Sequence, residues 1–186
     1  MSVEIERMLQ DGLGHPVHIA NAGLVLLHPY FPLLFDRLGL LTAGTDGQPH
    51  MGGPEAASRA VHLLQYLVTG RLDTPEPELA LNKLLAGIPL SAPVAPAIAV
   101  VETDLEICGG LLAAVIAHWP QMRDTSIDGL RIGWLQREGR IEPGEDFWRL
   151  TVQRRSYDVL LQTLPWSFTL IRHRWMPHLI DVTWDW

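Results

Sequence analysis

PEAASRAVHLLQYLVTGRLDTPEPELALNKLLAGIPL, residues 54–90, decides how the rest of the chain must fold. Pro54 suits the first turn of a helix, where its missing N–H costs nothing, and Glu55 beside it favours the positive end of the helix dipole. Ala57, Ala60, Val61, Leu64, Leu67 and Val68 recur at three- and four-residue steps and so share one face. Gly70 stands where a left-handed residue closes a helix. Pro75 and Pro77 forbid an immediate restart. A second apolar stripe comes next in Leu79, Leu81, Leu84 and Leu85 before Gly87 and Pro89 end it. The stretch reads as a helical hairpin with one greasy face, which the remaining chain must cover.

Upstream, residues 1–20 read as a weakly ordered lead. Val3, Ile5 and Met8 lie on one helical side, but Gly12, Gly14 and Pro16 break the pattern. Asn21 is placed to cap the next helix, and 22–38 reads as that helix, kinked at Pro29 and closed by Gly39. Residues 42–53, TAGTDGQPHMGG, have the composition of a surface loop.

Downstream, SAPVAP at 91–96 is an extended link. A long helix is expected over 97–119, striped by Ile98, Val101, Leu105, Cys108, Leu112, Val115, Ile116 and Trp119. Gly109 and Gly110 either weaken its middle or admit a close neighbour. Thr125 and Asp128 resemble a capping box opening a helix lined by Ile127, Leu130, Trp134 and Leu135. After Pro143-Gly144 the period falls to two, with Trp148, Leu150 and Val152 alternating with Arg149, Thr151 and Gln153. Helical spacing returns over 157–164, and 167–174 and 179–186 read as two more strands. The expected fold is α+β: a mainly helical layer with a small C-terminal antiparallel sheet, in one domain over 1–186, with the final strand at a sheet edge.

The bulk numbers narrow the function classes. The chain has 186 residues, 47% of them hydrophobic and 19% charged, enough for one domain with a real core. A net charge of −7 without a long basic run argues against nucleic acid as a partner. The single cysteine, Cys108, excludes an intramolecular disulfide framework, and its apolar neighbours Ile107, Leu111 and Leu112 mark it as a packing residue. MSVEIERMLQ lacks the basic lead and apolar middle of a targeting segment, and no apolar run approaches the roughly 20 residues of a membrane span. Cytoplasmic synthesis is the expectation.

Catalytic patterns are not found. The eight histidines (His15, His18, His28, His50, His62, His118, His173 and His178) form no HExxH and pair with no cysteine at zinc spacing, so neither metal nor cofactor is expected. Glu102 and Glu106 lie one helical turn apart, as a proton-sharing pair would, but Thr103 and Asp104 between them favour a solvated face. Ser126 lacks a GxSxG setting, and neither Gly52-Gly53 nor Gly109-Gly110 fits a phosphate loop. The chain is therefore read as no enzyme; a small soluble enzyme or a ligand-binding domain without a recognisable motif is the alternative. Four of the seven tryptophans (Trp166, Trp175, Trp184 and Trp186) crowd the last stretch. Trp184 and Trp186, which alternation puts on one strand face, read either as core or as exposed anchors for a protein partner, with Arg172 and Arg174 as a polar rim.

NAGLVLLHPYFPLLFDRLGL (21–40), RAVHLLQYLVTG (59–70), ELALNKLLAGIPL (78–90), LLAAVIAHWPQMRDTSIDGLRIGWLQREGRI (111–141) and YDVLLQTLPWSFTLIRHRWMPHLIDVTW (157–184) together resemble, in order, the tape measure proteins of contractile injection systems, the phage-tail-like particles. The resemblance implies a structural component of the tube lumen that helps fix tube length during assembly, with tube, baseplate or cap subunits as partners. It brings no catalytic residues. Family members commonly carry much additional sequence before this region. A fully helical chain of this length would span about 280 Å, whereas a compact domain of this size has a radius of gyration of about 16 Å. With 14 prolines and 16 glycines breaking it, this chain fits the family's C-terminal anchoring domain better than the ruler itself.

Overall fold

The computed structural model describes residues 15–185. Strand β1 is Val17–Ile19, and the small hairpin of β2 (Leu41–Ala43) and β3 (Pro49–Met51) comes after it. The larger strands are β4 (Gly139–Pro143), β5 (Phe147–Val152), β6 (Leu170–Ile171) and β7 (Leu179–Thr183). The helices are α1 (Phe31–Arg37), α2 (Pro54–Thr69), α3 (Ala80–Leu85), α4 (Glu102–His118) and α5 (Ile127–Leu130).

Helix α2 starts on Pro54 and ends at Gly70, whose φ of 73° is left-handed and whose N–H donates to Tyr66 O at 2.8 Å. Its burial goes beyond the expected stripe. Ser58, His62, Leu63 and Gln65 are buried as well, because α3, α4 and the 22–30 segment pack around it on several sides. The second arm of the hairpin is short: a 3₁₀ turn over Glu76–Leu79, then α3, every residue of which is buried. Lys83 is among them. Its Nζ donates to the Glu76 carboxylate and to the carbonyls of Leu90 and Ala92, which satisfies all three ammonium protons.

The kinked helix expected over 22–38 is a change of helix type. Ala22–Tyr30 is 3₁₀, with Pro29 inside it, and α1 continues from Phe31. The tighter coil lets Gly23 press on the chain opposite, where a Cβ would stand 1.8 Å from Trp134 O. Asn21 precedes the 3₁₀ segment but its side chain does not cap it. Likewise Ser126, not Thr125, caps α5, accepting the Gly129 N–H at 3.0 Å. Helix α4 begins five residues later than expected. Asp104 accepts from the Val101 N–H at its start and pairs with Arg59 at 2.9 Å. Gly109 and Gly110 admit no close neighbour; nothing lies within 4 Å of the position of an added Cβ.

The main sheet departs most from expectation. It is mixed, in the order β1-β4-β5-β7-β6, with β5 and β7 parallel and the other pairs antiparallel. It is not confined to the C-terminal part, since β1 pairs Val17 with Ile141. Residues 17–19 of the expected weak lead are thus a paired strand, while residues 1–14 lie outside the described residues. The expected 42–53 loop holds most of the β2–β3 hairpin. Strand β4 is not legible in the sequence, because its five residues, GRIEP, bury only Ile141 and show little alternation. The expected 167–174 strand shrinks to two residues, since the chain then turns to bury Trp175 and Met176. Strand β7 lies between β5 and β6, so the edge is β6 and not the last strand.

Ile141, Trp148, Leu150, Val152, Ile180 and Val182 are buried and belong with the helices to one continuous core. At one end of that core Arg137 meets Asp158 in a fully buried bidentate pair, Nη2 to Oδ1 at 2.6 Å and Nη1 to Oδ2 at 3.0 Å. Leu64 is completely buried at the middle of α2. Leu64→Ala should cost about 2–5 kcal/mol in denaturant unfolding through lost transfer energy and a residual cavity; a loss below about 0.5 kcal/mol, the range of an ordinary surface change, would contradict this packing.

Candidate interaction surfaces

Alternation along the strands puts the helices on one face of the main sheet and leaves the other open. Row by row, the open face carries His18, Arg140, Thr151 and Thr183, then Glu142, Arg149, Asp181 and Leu170. Charges of both signs are interspersed on it, as on an antiparallel face that meets water.

The β6 edge differs. Leu170 is 64% exposed. His173 turns inward, stacked on Trp175 at 4.6 Å between ring centroids, and Arg172 and Arg174 on either side of it are exposed. Neither arginine has an ion-pair partner among the described residues. Leu170 thus stands on the edge strand, with Arg172 just past its end and Arg174 in the turn that follows. Trp184 stands apart from them: it is 3% exposed, packs edge-on to Phe168, and its indole N–H donates to Asp158 Oδ2 at 2.9 Å. It is a core residue. Trp186 lies outside the described residues.

Two features near these surfaces had no signal in the sequence. The first is the Arg137–Asp158 pair, whose partners stand 21 residues apart in unrelated local patterns. Burial pushes the Asp158 carboxyl up, but hydrogen bonds from Arg137, Trp184 and the Arg155 N–H outweigh it and hold the carboxyl below its usual range. The second is the contact of His28 with His173, ring centroids 5.6 Å apart. His28 Nε2 meets Ser167 O at 2.8 Å, while His28 Nδ1 and His173 Nε2 are buried without a partner. Burial, with a smaller contribution from His28, pushes His173 down to about 4, and burial also lowers His28 despite its hydrogen bond to Ser167.

A shallow apolar groove runs between α1 and α4, lined by Leu33, Leu34, Ile107, Leu111 and Ala114, with the Tyr30–His118 hydrogen bond at one end. Glu102 and Glu106 are both exposed on α4, while Asp104 between them is buried against Arg59. Cys108 is buried, and desolvation pushes its thiol up to about 12, far from a reactive thiolate. Among the described residues no three histidine, cysteine or acidic side chains are grouped to hold a metal ion, and no helix is long and apolar enough to cross a membrane.

The family model for the contractile injection system tape measure protein matches residues 6–184. The chain belongs to that family. No curated protein and no solved structure matches it. The match runs through both the helical layer and the sheet, so the tape measure family is represented here by a folded α+β chain with one continuous core.

The histidine pair makes a pH dependence. The folded chain keeps His173 neutral down to about 4, whereas an unfolded chain protonates it near the ordinary 6.5. Between those values the unfolded state binds more protons, so stability falls as pH drops from 6.5 toward 4 and is unaffected by this group above that window. His173→Phe, which keeps a ring on Trp175, should flatten the fall in melting temperature over this window; an unchanged slope would refute the assignment.

Proposed function

We propose that this domain is the holding part of a tape measure. It grips another protein subunit of the injection particle (tube, baseplate or cap) within the tube lumen, and in doing so helps fix tube length while the particle assembles in the cytoplasm. It catalyses nothing. The observation that carries this reading is the family match across residues 6–184. Its shape supports holding over measuring. The longest described helix, Glu102–His118, has 17 residues, about 26 Å at 1.5 Å per residue, which gives little reach.

The contact proposed for the partner is the β6 edge. An extended segment laid along it gains main-chain hydrogen bonds, Leu170 supplies apolar area, and the unpaired Arg172 and Arg174 select acidic side chains. Trp184 serves this contact from behind, by packing against Phe168 just before the strand.

Deleting the coding region and imaging the particles should give absent tubes or tubes of irregular length; normal tubes of normal length would overturn the proposal. The double change Arg172→Glu and Arg174→Glu should leave the domain's melting temperature within a few degrees of the original. It should weaken co-purification with the particle by about 2 kcal/mol or more, the scale of interface hot spots. Unimpaired capture would exclude this edge.

A further inference from the structure

Residues 97–101, expected to open the long helix, are not helical and carry more apolar surface than a connection needs. Ala97-Ile98-Ala99-Val100-Val101 has no polar side chain. Ala97, Ala99 and Val101 are exposed, Val101 to 61%, while Ile98 and Val100 between them are half-buried. That is the alternation of a strand with one face on the protein. From Ile98 to Val101 the backbone has no helix, turn or bend, and Val101 is extended at φ −103° and ψ 156°.

The segment nevertheless belongs to neither sheet. Its two ends are tied down. Ala95 donates to Ser58 Oγ and accepts from His62 Nε2. Val101 donates to Asp104 Oδ2, and its carbonyl accepts the Asp104 N–H. Between these anchors, the N–H groups of Ala97, Ile98, Ala99 and Val100 and the carbonyls of 96–100 form no hydrogen bond among the described residues. A groove lined by Pro54, Glu55, Arg59 and Val94 runs along 97–99, so there is room beside the segment for another chain.

A row of free main-chain donors and acceptors, edged by small apolar side chains, matches an extended chain rather than a helix. The chain that pairs with it must be uncharged over the same length, because residues 96–101 offer nothing to pair with a charge. The segment itself meets that requirement. In antiparallel register about Ala99, Ile98 of one copy faces Val100 of the other, and Ala97 faces Val101. The half-buried side chains then share one face and the exposed ones the other. The nearest charge in sequence, Glu102, falls opposite Pro96 at each end, so this register sets no like charges against each other.

We propose that residues 97–101 pair with the same residues of a second copy of this chain, as a two-stranded antiparallel ribbon with its two-fold axis at Ala99. The inference does not depend on the β6 edge.

Sedimentation of the folded chain over a rising concentration series should show a reversible monomer–dimer equilibrium. At the concentrated end, amide exchange should slow at alternate residues of 97–100, since successive N–H groups of a strand point to opposite sides. Ala99→Cys should form an intermolecular disulfide in a glutathione buffer, because side chains opposed across an antiparallel pair have Cβ atoms about 4.5–5.5 Å apart. The native Cys108 is buried and does not compete. Ala113→Cys, at an exposed position on α4, should link about tenfold more slowly, lacking the effective concentration that pairing gives. A chain that stays monomeric throughout, amides of 97–100 that exchange equally at all concentrations, or equal linking at 99 and 113 would each overturn the pairing; the segment then faces water or a different protein.

Discussion

The structure depends on the buried pair of Arg137 and Asp158. Two charges taken out of water are costly unless geometry and further hydrogen bonds compensate them. Here compensation is extensive. The guanidinium also donates to Gly133 O and Gln153 O and lies within 5.5 Å of the ring centroids of Trp134, Tyr157 and Trp184. The carboxylate also accepts from the Arg155 N–H and the Trp184 indole. Four segments converge on this one pair: the π-type turn Arg131–Leu135, the end of β5, the 3₁₀ turn Asp158–Thr163 and the chain after β7. An apolar cluster of the same volume would hold them together but would not dictate their register. A bidentate pair with an indole donor does, because removing any partner leaves a charge or a dipole unsatisfied in the interior.

The helices were legible in the chain where burial is one-sided or punctuation is strong. Pro54 and Gly70 bracket α2, and the spacing of Ala57 to Val68 identifies its inner face. The strand pattern of β5 and β7 was equally plain, since Trp148, Leu150, Val152, Ile180 and Val182 face one core. The hidden elements depend on partners distant in sequence. Three residues of β1 carry no periodicity, and only their pairing with β4 makes them a strand. The parallel pairing of β5 with β7 results from the path of 153–178, which passes through a 3₁₀ turn and the short β6 before returning in the direction of β5.

The candidate contacts divide in the same way. Arg172 and Arg174 could be named from alternation, because the inward turn of His173 between them is a local matter. That Trp184 belongs to the core could not, because its hydrogen-bond partner Asp158 lies 26 residues earlier. Asn21 illustrates the limit of local capping rules. Its side chain stands where a cap would, but Gln65 and Asn82 offer a better amide partnership from the interior, and the cap is forgone. Polar residues at element boundaries are read wrongly when a distant polar group competes for them.

The sheet order has a consequence for how the domain comes into being. Strands β4 and β5 are joined by a tight turn and can pair as soon as both exist. Each then has one edge waiting, β4 for a strand from residues 17–19 and β5 for one from 179–183. Bonds such as Trp166 Nε1 to Leu26 O close loops of 140 residues, and such closures are entropically late events. A sheet made of β4 and β5 alone would present two unpaired edges, and only the arrival of the two distant strands covers them.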